Sequence, residues 1–474
     1  MNVRAFVLMA LALTPAAVLA QQAPWGRPDK PITHADRVYA AEQFSNTVSV
    51  TDPVDNKLLG VIRLGDPQPM NFAPLYKGQV LTHGMGFSPD GKTLAIVSIG
   101  SNGVSFIDTA TNTVKHTTYV GRSPHEAFFT PDGKAVWVTV RGEDYVSVID
   151  TKTYEEVARV KTPGGPGMTI FSPDGKYAYI CSSFNPVTVV IDVATREQAG
   201  EVKQPSPFCP NIAVTPDGKQ VWFTLKDTGK LVAFSALPPF TVLKTMDMGP
   251  IANHVNFATV KGVPYAYVTV GGLSQVKVFR VSDYSLVTTI PVGAMPHGVW
   301  PSSDGSRIYV GLENDDKLAV IDTATNKVIA NVPIGQAPQA LAFVSNAAAT
   351  ANADTSLAQL GIAGNTYSLT LSDASGERTH VTLFDQGLVQ VLQAAVTGLE
   401  PKKAYFVALA DSPAGGNVQP LARFMTNPAG AAIVNASGPI RQLVDKPTSG
   451  ARRYLVIAAE AGGAPGQVLQ HPAS

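Results

Sequence analysis

Four histidines, His83, His125, His254 and His297, occupy one position of a tandem repeat of about 42 residues. Imidazole is the usual protein ligand for copper, zinc, iron and nickel, and it changes charge near neutral pH. A repeat of this length with four short strands per unit predicts a β-propeller, in which equivalent positions of successive units converge on one axis. The chemistry open to these residues is transition-metal binding, or axial ligation of a haem, at the mouth of a central channel. Met85, Met168 and Met295 lie close by in sequence, and thioether beside imidazole favours copper. The competing reading is a polar rim whose histidines bond backbone carbonyls and were copied by duplication of the repeat.

The units that position these residues begin at His83, His125, Gly167, Pro210, His254 and His297, with separations of 42, 42, 43, 44 and 43 residues. Within each unit, runs such as Val146-Ser-Val-Ile-Asp150 are apolar or alternating and β-branched, as buried and half-buried strands are. Pro-Asp-Gly turns separate the first two strands: Pro presets φ, Asp bonds its own backbone, and Gly accepts positive φ. Residues 38–65 supply three further strands without a first one. The missing strand lies at the far end, as Gln339-Ala-Leu-Ala-Phe-Val344. Six complete units plus one closed by both termini predict an all-β, seven-bladed propeller over residues 38–345. Closure of the ring then makes His254, His297, Gln339, His83 and His125 one contiguous arc, interrupted on the other side by Gly167 and Pro210.

Val146-Ser-Val-Ile-Asp-Thr, Leu318-Ala-Val-Ile-Asp-Thr-Ala-Thr-Asn-Lys-Val and Pro296-His-Gly-Val with its following Asp-Gly resemble the repeat of the YVTN/YncE-like family of exported bacterial propellers. The resemblance covers residues 38–344 and implies the fold. It implies no single activity, because similar propellers occur in binding proteins, surface-layer proteins, lactonase-like enzymes and redox enzymes.

Residues 1–20 read as a signal peptide. Arg4 is the charged region, Ala5 to Leu13 the apolar core, and Val18-Leu19-Ala20 a small-residue cleavage pattern before Gln21. The expected product is a periplasmic or secreted protein with a leader over 21–37 and no transmembrane segment. Beyond the repeat, 346–356 reads as a small-residue linker. Residues 357–460 read as an immunoglobulin-like β-sandwich of seven short strands, an accessory adhesion or docking module, and 461–474 as a disordered tail. The two cysteines, Cys181 and Cys209, fall on one rim of adjacent blades, and export favours a disulfide between them over a pair of thiolate ligands.

Net charge is zero and charged residues make up 15 % of the chain, so no nucleic-acid partner is expected. No Cys-x-x-Cys-His excludes c-type haem, and no Gly-x-Ser-x-Gly elbow or phosphate-binding Gly loop is present. Asp52, Asp108, Asp150, Asp192 and Asp322 close third strands and read as turn caps. Arg141, Lys226 and Glu313 lie on loops of the histidine face, a mixed rim that a ligand site and an ordinary solvated surface share. The reading is an exported binding protein whose histidine-lined mouth takes copper or another transition metal, a small ligand or a protein partner. The alternative is a periplasmic oxidoreductase or lactonase-like enzyme using the same mouth.

Overall fold

The computed structural model describes residues 30–65, 80–348, 354–376, 378–387, 389–445 and 451–472. The signal-peptide reading and most of the leader lie outside these residues. Seven four-stranded antiparallel sheets follow one another among the described residues, and an eight-stranded sheet lies at the carboxy-terminal end. Blade 1 is closed by both ends of the repeat region: Pro338–Val344 is its inner strand, followed by Arg37–Glu42, Thr47–Asp52 and Lys57–Arg63. Its register pairs Val38 with Phe343 and Ala40 with Leu341. Blades 2 to 7 then start at Thr82–Phe87, Pro124–Phe129, Pro166–Phe171, Ile212–Val214, Ala252–Val260 and Pro296–Pro301. This is the seven-bladed ring expected from the repeat, with no open edge between its first and last elements.

Burial follows position within the blade. Inner strands such as Pro124–Phe129 and Pro166–Phe171 are buried throughout, whereas outer strands such as Glu156–Lys161 expose most residues. Trp137, Trp222, Tyr179 and Phe234 fill the space between successive blades. In blades 3, 5 and 6 a threonine hydroxyl on the second strand ties the blade to the next one's inner strand. Thr139 Oγ1 donates to the Gly167 carbonyl (2.9 Å), and Thr269 Oγ1 to the His297 carbonyl (2.6 Å). The third-strand aspartates cap turns: Asp108 accepts from the Ala110 and Thr111 amides, and Asp192 from those of Ala194 and Thr195.

A disulfide joins Cys181, in the second strand of blade 4, to Cys209, just before blade 5, across 28 positions of chain. Closing a loop of that length removes denatured-state entropy worth about 3.5 kcal/mol. Cys181→Ser/Cys209→Ser is therefore expected to lower unfolding stability by about that amount in denaturant titrations. The unreduced wild type should show no alkylatable thiol.

The carboxy-terminal region is all-β with eight strands rather than seven. One half is Thr366–Ser372, Arg378–Asp385, Gln390–Val396 and Ala432–Gly438. The other is Ala404–Ala410, Gln419–Met425, Tyr454–Ala461 and Ala464–Pro472. The halves join where Leu371 and Ser372 pair with Pro472 and His471, giving a nearly closed sheet around Leu383, Leu392, Val407, Leu409 and Ile457. Of the tail read as disordered, Ala464–Pro472 is a strand. Val468 and Gln470 pair with the neighbouring strand, and Gln470 is buried, accepting from Thr379 and donating to the Thr397 carbonyl. The expected domain start at 357 also shifts, because Ala358 still exchanges both backbone hydrogen bonds with Val61 on blade 1. Among the described residues no helix is long and apolar enough to cross a membrane.

Candidate metal site at the capped channel mouth

Each histidine sits at a break in strand pairing. In blade 2, Thr82 pairs with Ser98 and Met85 with Ile96, so His83 and Gly84 bulge out of the ladder. The same shift places His125 and Glu126, Asn253 and His254, and His297 and Gly298 in bulges. A bulge re-aims a side chain that regular pleating would bury within the blade. All four imidazoles consequently meet at the mouth. Ring centres are 4.3 Å apart for His83 and His125, 4.8 Å for His254 and His297, and 6.3 Å for His83 and His297.

Two imidazoles have a fixed tautomer. His125 Nδ1 donates to the Gly167 carbonyl (2.8 Å), and His297 Nδ1 to Glu313 Oε2 (2.7 Å). In both, Nε2 keeps its lone pair for a ligand, and the carboxylate behind His297 is the arrangement that orients metal-binding histidines. Burial holds the pKa of all four imidazoles below the ordinary value, so the rings are neutral and ready to ligate at pH 7. Burial opposes ionisation of Glu313 too, but its interactions with His297 and Lys226 and its hydrogen bonds keep it below the usual carboxylate range.

Glu126 is a candidate ligand that sequence reasoning missed. Its carboxyl accepts from the Met85 amide through Oε2 (3.2 Å), while Oε1 is buried and unpartnered. His83 Nδ1, likewise buried and unpartnered, lies 3.9 Å from that oxygen. This gap is too long for a hydrogen bond and suits two atoms that share an ion at about 2.1 Å from each. Ligand atoms of His83, His125 and Glu126 all lie within 4.8 Å of one another. His254 and His297 stand outside that tight set, although His254 Nε2 is also buried without a partner. The signal for Glu126 was present in the repeat: His83 and His297 are followed by Gly, His125 by Glu.

The mouth is covered. Gln393 of the carboxy-terminal domain donates from Nε2 to Glu313 Oε1 (2.8 Å), so one carboxylate links that domain to His297. Thr382 Oγ1 donates to the Asn314 carbonyl (2.7 Å), and Gln386 Nε2 to the Phe44 carbonyl (3.1 Å). Phe44 packs on Phe384 with ring centres 4.9 Å apart, and Ile251 and Met295 pack on Ala395 and Ala431. The domain expected as an accessory adhesion or docking module sits on the propeller's own histidine face. Of the neighbouring methionines, Met85 and Met168 line the narrow channel below the imidazoles with His254, whereas Met295 belongs to the domain contact.

A family model described as "Lactonase, 7-bladed beta-propeller" matches residues 103–330. Two solved structures share the fold. A chain of hydrazine synthase from Kuenenia stuttgartiensis is 19% identical, with a TM-score of 0.50 over 55% of this chain and 88% of that one. A functionally unknown protein from Desulfotomaculum acetoxidans is 16% identical, with a TM-score of 0.54 over 65% of this chain and 98% of that one. No curated protein matches the chain. At these identities the solved structures speak for the fold alone, and the sequence similarity is to the seven-bladed lactonase-type propellers.

Proposed function

We propose that this is an exported binding protein whose capped mouth holds a transition-metal ion. His83, His125 and Glu126 form the tight ligand set, with His297 and His254 completing the arc. The observation that carries this reading is the pair of buried, unpartnered ligand atoms, His83 Nδ1 and Glu126 Oε1, facing each other at 3.9 Å. A buried polar atom without a partner is costly, and native proteins keep such atoms where something binds. Three protein ligands leave coordination positions open, and the imidazole–carboxylate set suits zinc, iron or copper.

Protein purified from the periplasm, and the same protein stripped with chelator and titrated with each metal, tests the reading. One equivalent is expected to bind, with affinity at least about 100-fold weaker in His83→Ala/His125→Ala, as loss of two ligands implies. Equal binding by wild type and variant, or none by the wild type, rejects it. The second reading is a lactonase-like hydrolase, favoured by the family match over residues 103–330. Lactone hydrolysis by the metal-loaded wild type and not by the variant would select it over simple binding.

A further inference from the structure

We propose that the mouth takes an oxyanion, a small carboxylate or phosphate ligand, between Lys226 and Arg141. The residue that follows the second strand stands at an equivalent place in each blade. In blade 7 it is Glu313, which reaches His297. In blades 3 and 5 the same place is held by Arg141 and Lys226. Blade 5 has no histidine at its inner strand, where Pro210 stands instead, so a cation occupies the part of the ring that lacks an imidazole.

Lys226 is 7% exposed. Among the described residues its ammonium makes no hydrogen bond or ion pair, and it lies 5.8 Å from the centre of the Phe208 ring. Two carboxylates lie close enough for their charge to reach it, Glu313 and Asp227, and both have other partners. Glu313 is bonded by His297 and Gln393, and Asp227 by the Asn427 side chain. Arg141 is half-buried, feels Glu126, and likewise makes no side-chain hydrogen bond to a described residue. A cation without an ion-pair partner in an enclosed site opposes folding, because it gives up part of its hydration without replacement. The buried Lys226 and the half-buried Arg141, both without a partner at one mouth, are explained by an anion present for part of the working cycle. An oxyanion supplies acceptors for the ammonium and for the guanidinium fork together.

This inference builds on the metal-site reading by placing the anion beside the imidazoles. It is tested on chelator-stripped protein so that either reading can fail alone. Melting temperature and calorimetric titration are followed with sodium oxalate, with sodium phosphate, and with sodium chloride at matched ionic strength. One of the two oxyanions is expected to raise the melting temperature by a few degrees where chloride does not. Stabilisation by oxalate alone assigns a carboxylate ligand, and by phosphate alone a phosphate ligand. Lys226→Met and Arg141→Met should each weaken that binding by about tenfold or more. Lys226→Met should also melt higher than the wild type when no ligand is present, because it removes the unpaired charge. A lower melting temperature for ligand-free Lys226→Met would assign the ammonium to the fold and overturn the proposal. So would equal responses of wild type and both variants, or no response to either oxyanion. Should Arg141→Met not fold, Arg141→Gln carries the same comparison.

Discussion

Glu126→Gln is expected to stabilise the metal-free protein by about 3–5 kcal/mol at about pH 9 and to leave it nearly unchanged at about pH 5. Burial raises the Glu126 carboxyl from 4.5 to about 8, against the opposing pull of the Met85 amide and Arg141. The folded value lies above the unfolded one, so the folded state holds a proton that the unfolded chain releases. Stability is complete below the unfolded value of 4.5 and is lost as pH rises towards 8. A glutamine keeps the neutral shape and does not titrate, so the two proteins diverge across that window. The four imidazoles act in the opposite sense: their folded values lie below 6.5, and their contribution falls away as pH drops below it. They are silent above about pH 7, which makes the alkaline limb the clean readout. With metal bound the sign reverses, because the ion stabilises the carboxylate that burial alone disfavours. The same variant should lose most of the metal-induced rise in stability. Denaturant midpoints at three pH values, with and without metal, measure both effects; parallel wild-type and variant curves would reject the assignment of Glu126.

The repeat was legible because each of its features has a local cause. Turn glycines and β-branched runs recur every 42 to 44 residues, and each specifies one piece of a blade without help from the rest. Closure through Pro338–Val344 could be read because a blade with three strands must borrow a fourth. The arc of histidines followed from counting blades. The role of Glu126 did not, because it depends on a contact between neighbouring inner strands. In sequence, Glu126 is only one of two departures from a His-Gly pattern, the other being Val255 after His254. The cap was hidden for a related reason. Gln393, Thr382 and Phe384 belong to ordinary alternating strands, and nothing in their spacing says that they meet Glu313, Asn314 and Phe44. The final strand was masked by composition: Ala464–Pro472 has few β-branched residues and pairs through its backbone and through Gln470.

Gly84→Ala should damage the fold and the site together. A Cβ at Gly84 would lie 2.1 Å from the His125 carbonyl oxygen, 2.7 Å from Glu126 Cα and 2.5 Å from Glu126 Oε2. Two of these three atoms are backbone, so rotating a side chain cannot relieve the overlap, and the inner strands of blades 2 and 3 must separate. The carboxyl that faces His83 occupies the space that the missing Cβ leaves. The His-Gly pair of blade 2 and the His-Glu pair of blade 3 are therefore complementary halves of one site. Overpacking of this kind costs about 3 kcal/mol, and more where backbone must move. Metal affinity should fall at least as far as in the double-histidine variant, because His125 and Glu126 shift with the strand. Gly298→Ala, whose Cβ would meet the Gln339 carbonyl oxygen at 2.6 Å, is expected to cost less. Gly164→Ala, with nothing within 4 Å, should be neutral and controls for the loss of glycine itself. The order Gly84, Gly298, Gly164 in both denaturant midpoint and metal affinity is the result to look for. A Gly84→Ala protein with wild-type midpoint and affinity would mean that blades 2 and 3 do not approach so closely, and that Glu126 is not held against His83.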